Sequence, residues 1–198
     1  MIIIDFLRHG EPRGGARFRG NGCDDPLSEQ GWRQMWQTLG ESLHWPWDAV
    51  LTSPLARCRA FAEAVCARKP TPLRVIEDLR EVGFGEWEGC SLDEIRAGRT
   101  AEYRAFYADP AKNRPPGAEP LAEFRQRVER ALIAEIETTD AERLLVVTHA
   151  GVIRSLVGWV LGVPDDRIYR LDCDYASISQ IRHDPERGWR VGFTNRRE

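Results

Sequence analysis

The chain has 198 residues, a formal net charge of −3, 42% hydrophobic and 30% charged residues, which suits one α/β domain with a real core and is short for two. That balance excludes a disordered chain, and the lack of a basic excess argues against a nucleic-acid binder. No apolar run approaches a bilayer span, no basic leader precedes the first apolar run, and five scattered cysteines lack the close pairs of a zinc site. A cytoplasmic protein with reduced thiols and no membrane partner is therefore expected.

Ile2-Ile3-Ile4 and Phe6-Leu7 read as a buried strand broken by one polar residue. It carries Arg8 and His9 together, beside Gly10, to the carboxyl end of a core strand, where ligands sit in an open α/β sheet. Arg offers a forked donor to phosphate or carboxylate, and His serves near neutral pH as base, ligand or nucleophile. By itself the tripeptide reads equally well as the start of a surface loop. Pro12 to Pro26 is a long glycine-rich loop holding Arg13, Arg17 and Arg19. It matches neither a P-loop nor a dinucleotide fingerprint, and its arginines fit a solvated surface or a substrate rim.

Ser28 predicts a helix cap, followed by Trp32, Met35, Trp36, Leu39 and Leu43 at helical spacing. Asp48 to Leu51 predicts a second strand, and Thr52-Ser53-Pro54 a helix start with Pro in the first turn and Arg57 in its opening. Phe61, Ala62 and Val65 form that helix's buried face; Pro70-Thr71-Pro72 ends it, and Leu73, Val75 and Ile76 make a third strand. An acidic, aromatic, glycine-rich loop follows from Glu77 to Gly89. Ser91 with Glu94 is a capping box for a helical stretch through Asp109, and Pro110 to Pro120 is a turn-rich crossing. Leu121, Phe124, Val128, Leu132 and Ile136 mark a long amphipathic helix. Leu144 to Val147 is a second strongly apolar strand, ending in Thr148-His149-Ala150-Gly151 and a helix closed by Gly162. Two alternating runs, joined through Asp184 to Gly188, predict a C-terminal β-hairpin.

Strands alternating with helices imply a mostly parallel central sheet with helices on both faces. Three strand ends then bring Arg8-His9, Ser53 leading to Arg57, and His149 to one edge, where a tetrahedral dianion can be held; helix N-termini after Pro54 and Gly151 are expected to add backbone donors. Two histidines also admit a metal, but ligand spacing is missing and adjacent arginines repel a cation, so no metal or other cofactor is expected. Nucleophilic catalysis fits better: a neutral His attacks phosphorus, cations stabilise the equatorial oxygens, and Glu81, Glu86 or Glu88 supplies an acid for the leaving alkoxide.

The motifs Leu7-Arg8-His9-Gly10-Glu11, Leu51-Thr52-Ser53-Pro54-Leu55-Ala56-Arg57, Leu79-Arg80-Glu81 with Phe84-Gly85-Glu86-Trp87-Glu88-Gly89, and Val147-Thr148-His149-Ala150-Gly151 occur in one order across nearly the whole chain. Together they resemble the histidine phosphatase superfamily, with its phosphoglycerate mutase-like fold. The resemblance implies a single domain over 1–198 with a cap-like insertion at 78–120. It makes His9 the nucleophile that becomes phosphohistidine, Arg8, Arg57 and His149 the phosphoryl-binding groups, and Glu81 the acid that later activates water. Glu11 matches the motif with an orienting or structural role, whereas His44 and His183 match nothing. Many members carry an Asn six residues after the nucleophile; here Gly15 stands there, leaving Arg17 and Asn21 as candidates for the substrate rim.

The compact 78–120 region and Gly85-Glu86-Trp87-Glu88-Gly89 are similar to the phosphatase branch rather than to the longer mutases. Within that branch the chain is similar to alpha-ribazole phosphatases of cobalamin synthesis and to broad-specificity sugar-phosphate phosphatases. The implied activity is metal-independent hydrolysis of a small phosphorylated metabolite, with alpha-ribazole 5'-phosphate a candidate and a mutase-type phosphotransferase the alternative.

Overall fold

The computed structural model describes residues 1–40 and 45–197; Leu43 and His44 lie outside them. A single six-stranded sheet runs in the order β3-β2-β4-β1-β5-β6, with β1 at Ile2–Arg8, β2 at Ala49–Thr52, β3 at Leu73–Val75, β4 at Arg143–Thr148, β5 at Ile178–Asp184 and β6 at Gly188–Arg196. The four strands β1 to β4 are mutually parallel, while β5 pairs antiparallel with β1 and continues into β6 as the expected hairpin.

Alternation along the central strands divides the core. Ile4 and Phe6 of β1 and Leu144 and Val146 of β4 face helices α5 (Leu121–Thr138) and α6 (Ala150–Leu161). Leu7, Leu145 and Val147 face the other way, against α1 (Glu29–Leu39) and α2 (Ala56–Arg68). Because both faces are covered, β4 is apolar without alternation, as a doubly buried parallel strand should be. Each fully buried side chain of this size contributes roughly 1.5–3 kcal/mol of transfer free energy, so the centre of the sheet is the most firmly fixed part of the molecule.

The pairing register sets the site. Arg8 lies opposite Thr148, and Thr52 lies opposite Val147, so β1, β4 and β2 end level with one another. Whatever follows Arg8, Thr52 and Thr148 in the chain must emerge on one edge.

Several boundaries differ from the sequence reading. Helix α2 begins at Ala56, two residues beyond Pro54, and Leu55 is its N-cap without a side-chain bond. The cap comes instead from the glycine-rich loop, where the Asp24 carboxylate accepts from Ala56 N–H at 2.6 Å. The helical stretch before Pro110 is two helices, α3 (Leu92–Gly98) and α4 (Thr100–Ala108), broken at Arg99. The Ser91–Glu94 capping box is present in both directions, and Gly162 closes α6 in the left-handed conformation. Three 3-10 turns, Glu77–Leu79, Gly85–Trp87 and Asp165–Arg170, occupy stretches read as irregular or not singled out. Within residues 78–120, Leu79, Val82, Phe84, Trp87, Ile95 and Phe106 share one buried cluster with α5 and α6.

Candidate active site

His9 follows the last residue of β1 and is 6% exposed. Its Nδ1 lies 2.8 Å from the Gly10 carbonyl oxygen, which can only accept, so Nδ1 carries the proton and Nε2 carries the lone pair. Gly10 allows this because the space a Cβ would fill is taken by the Gly31 backbone of α1. Burial first, then the charges of Arg57 and Arg8, hold the His9 imidazole well below its ordinary value. The ring is therefore neutral near pH 7.

Arg8 and Arg57 flank it. Arg57, 1% exposed on the first turn of α2, donates to the Cys23 and Gly20 carbonyls. Arg8 donates to the Cys173 carbonyl. The Nε atom of each guanidinium is buried and has no hydrogen-bond partner among the described residues, an arrangement that is costly unless an anion receives those donors. Both arginines, with His9, line a cleft of about 260 Å³ at the ends of the parallel strands. The cleft is lined by five arginines, Arg8, Arg17, Arg19, Arg57 and Arg154, against one carboxylate, Glu81.

Glu81 enters from the loop after β3. Its carboxylate accepts from Val82 N–H at 2.9 Å and from Gly151 N–H at 3.2 Å. That loop is fixed from behind by Arg127 of α5, which donates to the carbonyls of Asp78, Arg80 and Glu81 and makes a two-pronged ion pair with Glu119. The Glu119 carboxylate in turn accepts from Gly83 N–H.

His149, the N-cap of α6, stands one layer deeper than expected. It is fully buried, edge-on to His9 with ring centroids 5.2 Å apart, and is not part of the cleft wall. Its Nε2 is 2.7 Å from Ser53 Oγ. Burial first, then Arg57 and His9, lower its pKa well below the ordinary imidazole value.

At each of the two expected helix N-termini one backbone donor is already taken, Ala56 N–H by Asp24 and Gly151 N–H by Glu81. In both cases a carboxylate from another segment already complements the positive end of the helix. Arg17 does reach the cleft, braced by the Gly14 and Gly89 carbonyls. Asn21 does not; its amide packs over Gly83 instead. Glu11 is structural, accepting from Ser28 Oγ and N–H at the start of α1. Glu86 pairs with Arg99, Glu88 accepts from Phe84 N–H, and His183 packs at a tilt against Trp189. Arg154, Tyr107, Tyr169 and Tyr175 also line the cleft and were not named as site residues from sequence, whereas Phe84 was read only within a family motif. Arg154 had a readable signal, a lone guanidinium one turn after Ala150 in an otherwise apolar helix; the tyrosines had none. Among the described residues no group of three or more His, Cys, Asp or Glu could hold a metal ion, and no helix is long and apolar enough to cross a membrane.

Fold and site together define an α/β protein with an anion-receiving cleft built on a neutral histidine. Residues 4–196 match the histidine phosphatase superfamily (branch 1), and the chain belongs to that family. It is 34% identical to a "bifunctional protein" of Mycobacterium tuberculosis over 88% of the chain, spanning only 48% of that longer relative. It is 30% identical to the adenosylcobalamin/alpha-ribazole phosphatase of Escherichia coli, covering 89% of this chain and 87% of that one. The mycobacterial glucosyl-3-phosphoglycerate phosphatase superposes with a TM-score of 0.86 at 26% identity, covering 98% of this chain and 99% of that one.

Proposed function

We propose that this protein hydrolyses a small phosphomonoester through a phosphohistidine on His9. The observation that carries the reading is the pair of guanidinium groups, half-buried Arg8 and buried Arg57, each with a buried and unmatched Nε, in one cleft with a neutral imidazole tied down at Nδ1. In the first step Nε2 of His9 attacks phosphorus and the ester P–O bond breaks. Arg8 and Arg57 meet the charge on the equatorial oxygens, and protonated Glu81 gives its proton to the leaving alkoxide. In the second step the Glu81 carboxylate takes a proton from water, whose oxygen displaces His9 from phosphorus and releases inorganic phosphate. His149 steadies the His9 ring from behind, edge-on to it, with Nε2 paired to Ser53 Oγ. Neither step calls on a metal ion.

For the leaving group, alpha-ribazole 5'-phosphate is our reading. Phe84, Tyr107 and Tyr169 give the cleft aromatic walls that suit a flat ring, and the Escherichia coli relative bears that substrate's name. Residues 78–120 serve as a cap in this reading, which Leu92 and Tyr107 on the cleft wall support.

The test is turnover of p-nitrophenyl phosphate in EDTA, followed by a panel containing alpha-ribazole 5'-phosphate, sugar phosphates and 3-phosphoglycerate. EDTA-resistant hydrolysis with the highest kcat/KM on alpha-ribazole 5'-phosphate is expected. Isomerisation of 3-phosphoglycerate without release of phosphate would overturn the hydrolytic reading, and preference for a sugar phosphate would overturn the substrate.

A further inference from the structure

We infer that Tyr175 is a positioning residue of the phosphate centre, its ring sealing and holding the Arg8 guanidinium beside His9. The inference rests on the reading that Arg8 and His9 form that centre. Tyr175 lies on the turn before β5, with its ring centroid 4.1 Å from Arg8 Cζ and 5.7 Å from the His9 ring. A guanidinium over an aromatic face is attracted to the ring's negative quadrupole, most strongly where water is excluded.

The backbone around the ring is built to keep it there. Ala176 holds φ at +57°, a left-handed conformation that residues with a Cβ adopt rarely and that persists only where the surroundings impose it. They do so through the end of β1. Ala176 N–H donates to the His9 carbonyl, Arg8 N–H donates to the Ser177 carbonyl, and Ser177 N–H donates to the Asp174 carbonyl. Asp174 is held by Asn195 of β6 through Asp174 N–H to Asn195 Oδ1 at 2.7 Å and Asn195 Nδ2 to Asp174 Oδ2 at 3.2 Å. The turn is thus bonded directly to the backbone of the two residues whose side chains Tyr175 touches.

Tyr175 also separates two spaces. It lines the cleft on one side, and on the other a smaller polar groove shared with Gln34, Gln37 and Arg197. A smaller, non-aromatic side chain would join the two and open the covered side of half-buried Arg8 to water, weakening its hold on a phosphoryl group. Among the described residues the Tyr175 hydroxyl has no hydrogen-bond partner, and the aromatic face is the working part.

The experiment compares wild type, Tyr175→Leu and Tyr175→Phe, with inorganic phosphate binding by calorimetry and p-nitrophenyl phosphate kinetics, each variant first matched to wild type by circular dichroism. Tyr175→Leu is expected to weaken phosphate about tenfold and to raise KM more than it lowers kcat, and Tyr175→Phe to recover most of that loss. Unchanged phosphate affinity in a folded Tyr175→Leu protein, or equal loss in Tyr175→Phe, would overturn the assignment. Wild-type protein that neither binds phosphate nor turns over the ester would instead sink the phosphatase reading itself, so the two failures are distinguishable.

Discussion

Glu81 and Gly151 occupy one another's space: the Glu81 carboxylate accepts from Gly151 N–H at 3.2 Å, and one of its oxygens fills the position a Cβ at 151 would take. A glycine in the first turn of α6 therefore serves the carboxylate rather than the helix, since Ala is the better helix former. We predict that Gly151→Ala leaves thermal stability nearly intact and slows turnover of an alkyl phosphate by one to two orders of magnitude, because displacing a reacting group by about 1 Å costs roughly 100-fold. p-Nitrophenyl phosphate, whose leaving group needs little protonation, should suffer less. Equal loss on both substrates would give Glu81 a positioning role.

Arg57 has two tasks, gripping the Cys23 and Gly20 carbonyls of the glycine-rich loop and facing the cleft. Arg57→Ala should lower kcat/KM by roughly two to three orders of magnitude through the lost charge-assisted contact. Steady-state kinetics beside a denaturation curve check it; unchanged kinetics in a folded variant would remove Arg57 from phosphate binding.

Arg127 joins α5 to the loop that carries Glu81. Its removal takes the charged partner from Glu119 and the side-chain donor from the carbonyls of Asp78, Arg80 and Glu81. Arg127→Met should cost about 3–5 kcal/mol, the range for breaking a buried pair by deleting one partner. Urea denaturation measures it, and Glu119→Gln combined with Arg127→Met should be less than additive because the two act on one network.

The buried histidines tie stability to pH. His9 and His149 are both held well below the ordinary imidazole value by burial, with the nearby arginines adding to it. The unfolded chain takes up these protons near pH 6.5, while the folded chain does not until the pH is well lower. Between those points the unfolded state binds more protons, so stability falls as pH drops below about 6.5 and is fully present above it. Melting temperatures from pH 8 to pH 5 check this; a His9→Gln variant should lose part of the slope, and a slope unaffected by that change would contradict the neutral assignment.

Much of this was legible in the chain because the signals are local. An apolar run ending in Arg8-His9, another ending in Thr148-His149 and a short one before Ser53 and Arg57 define three strand ends, and their parallel pairing brings them level. The Ser28 and Ser91 caps were readable for the same reason. What stayed hidden depends on residues remote in sequence. The start of α2 is set by Asp24, so no rule confined to Pro54 and its neighbours can place it. Arg127 sits in an amphipathic helix where an arginine ordinarily reads as solvated surface, yet it is 6% exposed because its donors meet a loop some 46 to 49 residues earlier. His149 reads as a cleft residue but lies behind His9, where its Nε2 is hydrogen-bonded with Ser53 Oγ. Tyr175 belongs to the site only through the fold of the turn onto Arg8 and His9.

The proposed hydrolysis stands or falls on Nε2 of His9 as the nucleophile. Rapid acid-free quenching of protein mixed with 32P-labelled p-nitrophenyl phosphate measures it directly. Wild type should carry label that is stable in alkali and lost in acid, as a phosphoramidate is, and His9→Ala should carry none and turn over nothing. Label retained on His9→Ala, or an acid-stable phosphoenzyme in wild type, would contradict the account.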